Sequence, residues 1–218
     1  MRSSVANVES IFLSLCLCPA LLWGSASLAE ELGIGGELPE FPALSSVDDK
    51  QWQSDDFDDA TVLIVAFTCN RCLYAIDYEE RLKQLHEYCQ QKGLSVQLLV
   101  VNSNYGRDES LYRMKTRSSE REFRFRYVKD EEQSVARAFG AVYTPEFFVF
   151  NRQKKLVYKG ALDDSTNADE VTVNYVQEAV EAVVKGNSVE VNEVGARGCT
   201  IRFKRRQPNR KGSAKQPS

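Results

Sequence analysis

The sequence predicts an α/β fold, a central mixed sheet flanked by helices. Three observations carry that expectation. Residues 61–68 and 95–102 are apolar on both faces, as strands in the middle of a parallel sheet are. Between them, Tyr78, Leu82, Leu85 and Cys89 recur at helical spacing, with Glu79, Glu80, Lys83 and Gln84 on the other side. Later, two short apolar segments, 146–150 and 155–159, flank a turn at 151–154 and precede a last amphipathic segment.

Each element has its own signal. Residues 33–42 are rich in Gly, Pro and Glu and read as an extended lead-in. Trp52 and Phe57 lie in an acidic stretch before the first strong strand, 61–68. A helix follows from Cys72 to about residue 91, ended by Gly93. Asp108 is expected to cap a helix running to 118. Residues 121–127 alternate charged and aromatic side chains, the pattern of a half-exposed strand. A short helix at 131–139 ends at Gly140. The closing helix, 169–185, is expected to turn Val173, Val176, Val180 and Val184 to the core.

The chain ends are different in kind. Ile11, Phe12 and Leu13 open a nearly continuous apolar run to Trp23, and Ser27-Leu-Ala29 supplies small residues at the −3 and −1 positions of a cleavage site. That is the layout of a secretory signal peptide, so a secreted or periplasmic location is expected. The run is short for a spanning helix, and a membrane association is expected only if residues 1–29 stay attached. At the other end, residues 197–218 carry eight basic and no acidic residues, leaving about −11 on 30–196 from a total of −3. Residues 204–218 lack apolar side chains apart from Ala214 and read as a disordered, solvated tail. No nucleic-acid partner is expected from it.

The chemistry is concentrated in Cys69-Asn-Arg-Cys72, at the junction of a buried strand and a helix. Unpaired N–H groups at a helix N-terminus stabilise a thiolate, and the two-residue spacer lets a disulfide form and break within one turn. Cys69 is the candidate nucleophile and Cys72 the resolving thiol. Arg71 either favours the Cys69 thiolate by its charge or is simply solvated. A zinc site needs two further ligands, and His86 is the only histidine, so no metal is expected. No other cofactor is expected. His86 lies about 21 Å along the helix from Cys72, too far for a Cys–His pair. Asp77, Glu79 and Glu80 are the nearby carboxylates for proton transfer.

Export shapes the reading of the other cysteines. By helical rise Cys89 lies about 26 Å from Cys72, whereas a disulfide needs Cα atoms within about 7 Å. The complete pairing that survives is Cys69–Cys72 with Cys89–Cys199, unless some thiols stay free. Cys89 is most simply a buried core thiol. Cys199 cross-links the terminus to Cys89, serves the motif as a third redox thiol, or is inert; the residues leave all three open.

The element order, with Cys-x-x-Cys after the first core strand and Thr144-Pro145 before the strand at 146–150, resembles the thioredoxin fold. More narrowly, the chain resembles the peroxiredoxin-like thioredoxin-domain proteins of the alkyl hydroperoxide reductase/thiol-specific antioxidant superfamily. The residues that carry the likeness are Thr68-Cys-Asn-Arg-Cys-Leu-Tyr-Ala75, Asp77-Tyr-Glu-Glu-Arg-Leu82, Val101-Asn-Ser103, Ala138-Phe-Gly-Ala-Val-Tyr-Thr-Pro-Glu-Phe-Phe148, Leu156-Val-Tyr-Lys-Gly160 and Gly198-Cys-Thr-Ile-Arg202. The resemblance spans roughly residues 36–203.

The resemblance implies a cis Thr144–Pro145 bond facing the cysteine pair, with the backbone before the proline binding a substrate strand. With the readings of the chain ends above, the division is 1–29 signal peptide, 30–45 extended lead-in, 46–203 thioredoxin-like domain and 204–218 tail. With the export read from residues 1–29, the resemblance implies an exported thiol–disulfide oxidoreductase, acting on protein or small-molecule thiols and disulfides with a reductant or oxidant partner protein. A thiol-dependent peroxidase and a non-catalytic binding module are the alternatives. Two departures bear on them. Leu73 stands where the family usually has proline after the second cysteine. The Pro-x-x-x-Thr-x-x-Cys pattern of a peroxidatic cysteine is missing, and Thr68 is directly next to Cys69. Leu63 stands six residues before Cys69, where thioredoxin keeps an acid.

Overall fold

A computed structural model describes residues 32–205. The signal segment expected at 1–29, and the tail beyond residue 205, lie outside the described residues. In chain order the strands and helices are β1 (Leu44–Ser46), β2 (Gln51–Trp52), β3 (Val62–Phe67), α1 (Leu73–Asp77), α2 (Glu79–Gln91) and β4 (Val96–Asn102). Then come α3 (Leu111–Glu120), β5 (Arg126–Lys129), α4 (Ser134–Phe139), β6 (Tyr143–Thr144), β7 (Glu146–Phe150), β8 (Leu156–Gly160), α5 (Tyr175–Val184), β9 (Glu193–Val194) and β10 (Cys199–Thr200).

The main sheet has the order β2-β1-β5-β4-β3-β7-β8-β9. β3, β4 and β5 are parallel, while β7 runs antiparallel to both β3 and β8. The sheet is mixed and flanked by helices, as the sequence predicts. Alternate residues of β3 supply two cores. Val62, Ile64 and Ala66 join Leu82, Leu85, Val176 and Val180 on one face. Leu63, Val65 and Phe67 join Val135, Phe139, Phe148 and Phe150 on the other. With all six residues of β3 buried, its register is fixed from both sides, because a one-residue slip would exchange the two cores. The lead-in segment packs too. Gly35 and Leu38 donate to Leu156 and Lys154 carbonyls, and Phe41 and Leu44 are buried.

Several element ends differ from the sequence expectation, for local reasons. The helix from the motif to residue 91 is interrupted at Tyr78, where φ is −89° and ψ is −3°. Glu79 is not on the solvent face; it is buried against Arg117 and Arg121. Ser110, not Asp108, caps α3 by accepting from the Arg113 N–H. The strand expected at 121–127 forms at Arg126–Lys129, because Phe123 and Phe125 stack on each other at 4.8 Å ahead of it. α4 begins at Ser134 rather than 131, since Gln133 is left-handed (φ 59°) and Asp130 takes the Ala136 N–H. α5 begins at Tyr175 rather than 169. The Asp164 carboxylate captures the Thr172 hydroxyl and the Val173 and Thr172 N–H groups, which holds it down to about 2. Val184 is exposed, and Ala179 takes its expected place in the core.

α2 is tied to the loop after β8 by a buried ion pair. Arg81 donates to both oxygens of Asp163 at 2.9 and 2.8 Å, and to the Ser165 and Thr166 carbonyls. The Tyr78 hydroxyl donates to the same carboxylate at 3.1 Å. The two charged side chains are 8% and 1% exposed. Asp163→Ala strands a buried guanidinium and is expected to lower unfolding free energy by about 3–5 kcal/mol in urea titration. An apolar double replacement, Arg81→Met with Asp163→Leu, is expected to recover most of that loss. A single variant that costs under about 1 kcal/mol, the scale of a surface pair, shows the pair to be dispensable.

Candidate active site

β3 delivers the cysteine loop. After Phe67 the chain keeps one more sheet contact, the Thr68 N–H donating to the Val101 carbonyl at 2.9 Å. It then turns through Cys69, Asn70 and Arg71. Cys72 is the N-cap of α1, with extended backbone (φ −72°, ψ 123°), so Cys69 precedes the helix rather than lying in its first turn. The Cys72 N–H donates to the Cys69 sulfur at 3.2 Å. Both are free thiols and both are buried, Cys69 at 7% exposure and Cys72 at 3%.

β7 delivers the opposing loop. Its first residue, Glu146, is in register with Phe67, so the Thr144–Pro145 peptide lies beside the cysteines. That peptide bond is cis. Thr144 Oγ1 is 3.3 Å from the Cys69 sulfur. In the protonated pair the Cys72 thiol donates to the Thr144 carbonyl at 3.2 Å. Glu146 braces the loop, its carboxylate accepting from the Val142 and Tyr143 N–H groups.

A third thiol completes the site. β10 pairs antiparallel with β6, with Cys199 opposite Thr144 and Thr200 opposite Tyr143. The Cys199 N–H donates to the Cys72 sulfur at 3.4 Å, and the Thr144 hydroxyl donates to the Cys199 carbonyl at 3.3 Å. Cys199 is exposed where the other two are buried. The Cys89–Cys199 pairing inferred from export is therefore corrected. Cys89 is a core thiol on the apolar face of α2, 1% exposed and pushed up to about 12 by burial. Of the three roles open for Cys199, the geometry brings it to the motif.

Charge around the pair also differs from expectation. Arg71 points to solvent, 73% exposed, and pairs with Asp108 at 2.7 Å. Asp77 is exposed, Glu80 pairs with Lys83, and Glu79 is engaged with arginines. The carboxylate at the site is Glu109, which sequence reasoning missed. It is buried, and Oε2 accepts from the Asn70 N–H and from Asn102 Nδ2, each at 2.8 Å. The Tyr127 hydroxyl donates to Asn70 Oδ1 at 3.0 Å. His86 packs against Phe125, away from the thiols. Among the described residues no cluster of three His, Cys, Asp or Glu side chains is arranged to hold a metal ion.

The two motif thiols titrate as a coupled unit. Their mutual hydrogen bond lowers Cys72 to about 4, against burial, helped by the Cys199 thiol and by the Ala75 and Cys199 N–H groups. The same bond raises Cys69, as do burial and the charge of Glu109, while Thr144 and the Cys72 N–H oppose the rise. The hydrogen bonds to its sulfur thus favour the negative charge on Cys72, while burial and its contact with the Thr144 carbonyl work against it. The pair and Cys199 line a cleft of about 450 Å³, with Tyr105, Asp108 and Arg202 on its walls.

The profile of the AhpC/TSA family matches residues 34–159, more than half of the chain. The chain belongs to the AhpC/TSA family. Among solved structures, a hypothetical protein from Sinorhizobium meliloti 1021 is 30% identical with a TM-score of 0.73, covering 81% of this chain and 97% of its own. An uncharacterized conserved protein from Geobacillus kaustophilus matches equally, at 30% and 0.73, covering 80% and 94%. The pneumococcal exposed lipoprotein thioredoxin of Streptococcus pneumoniae strain TIGR4 shares the fold at 16% identity and a TM-score of 0.52, covering 67% and 99%. No curated protein matches the chain in sequence.

This AhpC/TSA protein has a thioredoxin-like fold and, in general terms, the oxidoreductase character of its family. Leu73, where the family usually has proline, is 74% exposed at the first position of α1. No signal in the sequence linked Glu109 to the site, because it reads as one more acid at a helix start. The thiolate assignment is open to titration. In reduced protein, thiolate ultraviolet absorbance is expected to persist down to about pH 4 and to lose that low step in Cys72→Ser. Glu109→Gln removes a negative charge that raises Cys69, so it is expected to lower the later step and spare the first. A reduced protein with no thiolate below neutral pH contradicts the assignment.

Proposed function

We propose that this protein is an exported thiol–disulfide oxidoreductase in which Cys69 and Cys72 cycle between dithiol and disulfide. The observation that carries the reading is the convergence on one buried sulfur pair of a helix-start N–H, the Thr144 hydroxyl and a second thiol. Its substrates are protein or small-molecule thiols and disulfides, and a separate reductant or oxidant protein resets the pair. Export rests on the character of residues 1–29.

In the reducing direction, Cys69 attacks one sulfur of a substrate disulfide. The Cys72 thiolate, hydrogen-bonded to the Cys69 thiol, takes the proton as the new bond forms. The substrate S–S bond breaks, and its electron pair leaves on the first substrate thiolate, which takes the proton back from Cys72. Cys72 then attacks the Cys69 sulfur, closing Cys69–Cys72 and releasing the second substrate thiolate. The substrate is reduced by two electrons and the pair is oxidised by two. The oxidising direction is the reverse. The Thr144–Pro145 edge, on which the resemblance would lay a substrate strand, is taken in this structure by β10, so a substrate reaches the pair from the side of the cleft.

Family membership favours a thiol-dependent peroxidase as the second reading. Against it, the hydroxyl beside Cys69 comes from Thr144 on the opposing loop, and the Pro-x-x-x-Thr-x-x-Cys pattern is missing. The test is exchange with a disulfide-bonded protein, with dithiothreitol as electron donor. Cys69→Ser is expected to fall to the uncatalysed rate, and Cys72→Ser to accumulate mixed disulfides with the substrate. Hydrogen peroxide consumption is expected to be slow. Fast Cys69-dependent peroxide turnover makes peroxidase the leading reading, and failure of both assays leaves the non-catalytic binding module.

A further inference from the structure

The C-terminal strand occupies the edge of β6, the place where an incoming strand would add. Three features hold it there. Ile201 is buried and its N–H donates to the Val142 carbonyl at 2.8 Å. Arg202 is bound on both backbone groups, its N–H to Asn104 Oδ1 and its carbonyl to the Tyr105 N–H, both at 2.8 Å. Gly198 is pressed against Thr144 so closely that a Cβ would stand 2.1 Å from the Thr144 carbonyl oxygen. Only glycine permits that approach, and the approach is what carries Cys199 over the buried pair.

Within this ribbon the position of Cys199 is specific. Its N–H donates to the Cys72 sulfur at 3.4 Å, and the neighbouring Cys72 side chain raises its thiol. It faces solvent, whereas Cys69 and Cys72 do not. Cys199 thus sits on a strand that takes the place of an added one, beside the resolving sulfur of Cys72 and open to the cleft.

We propose that Cys199 is a third redox thiol, exchanging with the Cys69–Cys72 disulfide to give a Cys72–Cys199 disulfide on an internally bound substrate-like strand. The proposal rests on the redox reading of the Cys69–Cys72 pair. The Cys199 thiolate attacks the Cys72 sulfur. The Cys72–Cys199 bond forms, the Cys69–Cys72 bond breaks, and its electron pair goes to Cys69, which takes up the proton Cys199 gave up. The step is an isomerisation with no net oxidation, so no further reactant is needed. Its chemistry is favoured in the oxidised protein. In the dithiol form the hydrogen bond to Cys72 pushes Cys199 up to about 11, and that cause disappears once Cys72 is in a disulfide. The result moves the disulfide from a buried pair to a solvent-facing sulfur and returns Cys69 as a free thiol.

The test is disulfide mapping of the full chain after mild diamide oxidation. Cys69→Ser, and Cys69→Ala as a second background, are expected to yield a proteolytic peptide pair joined through Cys72 and Cys199. Both cysteines are then lost to alkylation, and the joined pair is lighter by two hydrogens. Cys199→Ser reads the motif on its own and is expected to form Cys69–Cys72. A Cys69–Cys72 disulfide in Cys199→Ser, with Cys199 still fully alkylated in both Cys69 variants, overturns the proposal and leaves the oxidoreductase reading standing. Absence of Cys69–Cys72 from oxidised Cys199→Ser overturns both.

Discussion

Thr144 makes a separate contact with each of the three cysteines. Its hydroxyl meets the Cys69 sulfur, its carbonyl meets the Cys72 sulfur, and the hydroxyl donates to the backbone of Cys199. A residue with that many obligations has to be placed by something stiffer than a loop. The stiff element is β3, whose two faces are each committed to a different core. The antiparallel register of β3 with β7 sets Phe67 opposite Glu146, which leaves Thr144 and Pro145 one step beyond the end of the ladder. Thr68 and Cys69 leave β3 at that same end of the ladder, which is what brings the two loops together. The site is thus a consequence of where two strands stop, and displacing either strand would displace every sulfur contact together.

Beneath the sulfurs lies a polar layer with few unmet demands. Asn70 uses its N–H on Glu109, its Nδ2 on the Asp108 carbonyl and its Oδ1 on the Tyr127 hydroxyl. Asn102 donates to the same Glu109 oxygen and to Tyr127. Buried polar groups without partners are costly, so a layer satisfied this fully is a rigid one. The Glu109 carboxylate is held by charge-assisted bonds from one backbone N–H and one amide, which fix both its orientation and the loop above it. Where the layer meets the C-terminal segment it is less complete. Asn104 binds the Arg202 N–H, but its own Nδ2 has no partner among the described residues.

Much of this was legible in the sequence, and the illegible part has a common cause. Long apolar runs at β3 and β4 and the spacing of Leu82, Leu85 and Cys89 are set by burial, which hydrophobic periodicity reports directly. Cys69, Cys72 and the Thr144-Pro145 pair could be named because their local context carries the signal. Boundaries failed where a single carboxylate captured backbone N–H groups, as Asp164 does before α5 and Asp130 before α4. Glu109 was missed, and the role of Cys199 was left open, for a different reason. Each is joined to the site by contacts dozens of residues away in sequence. A buried glutamate looks the same in sequence as a solvated one. Helical arithmetic separated Cys89 from the motif correctly, but pairing it with Cys199 treated those two as the remainder. The fold instead carries the C-terminus back across β6.

The spacer residues divide their work in a way that bears on which sulfur is charged. Arg71, the cationic one, spends its charge on Asp108 at the surface and is screened there. Asn70, the neutral one, ties the loop to a buried anion. The hydrogen bond to Cys72 and burial raise Cys69, and the negative charge of Glu109 adds to that rise. Cys72, which receives N–H groups from Ala75 and Cys199 and a hydrogen bond from the Cys199 thiol, is the better host. The thiolate is thus directed away from the carboxylate and towards the C-terminal strand. A Cys-x-x-Cys read alone puts the reactive charge on the first cysteine. Here the hydrogen bond between the two motif thiols favours the second, a buried glutamate adds to the rise of the first, and the returning strand adds hydrogen bonds on the side where the third thiol stands.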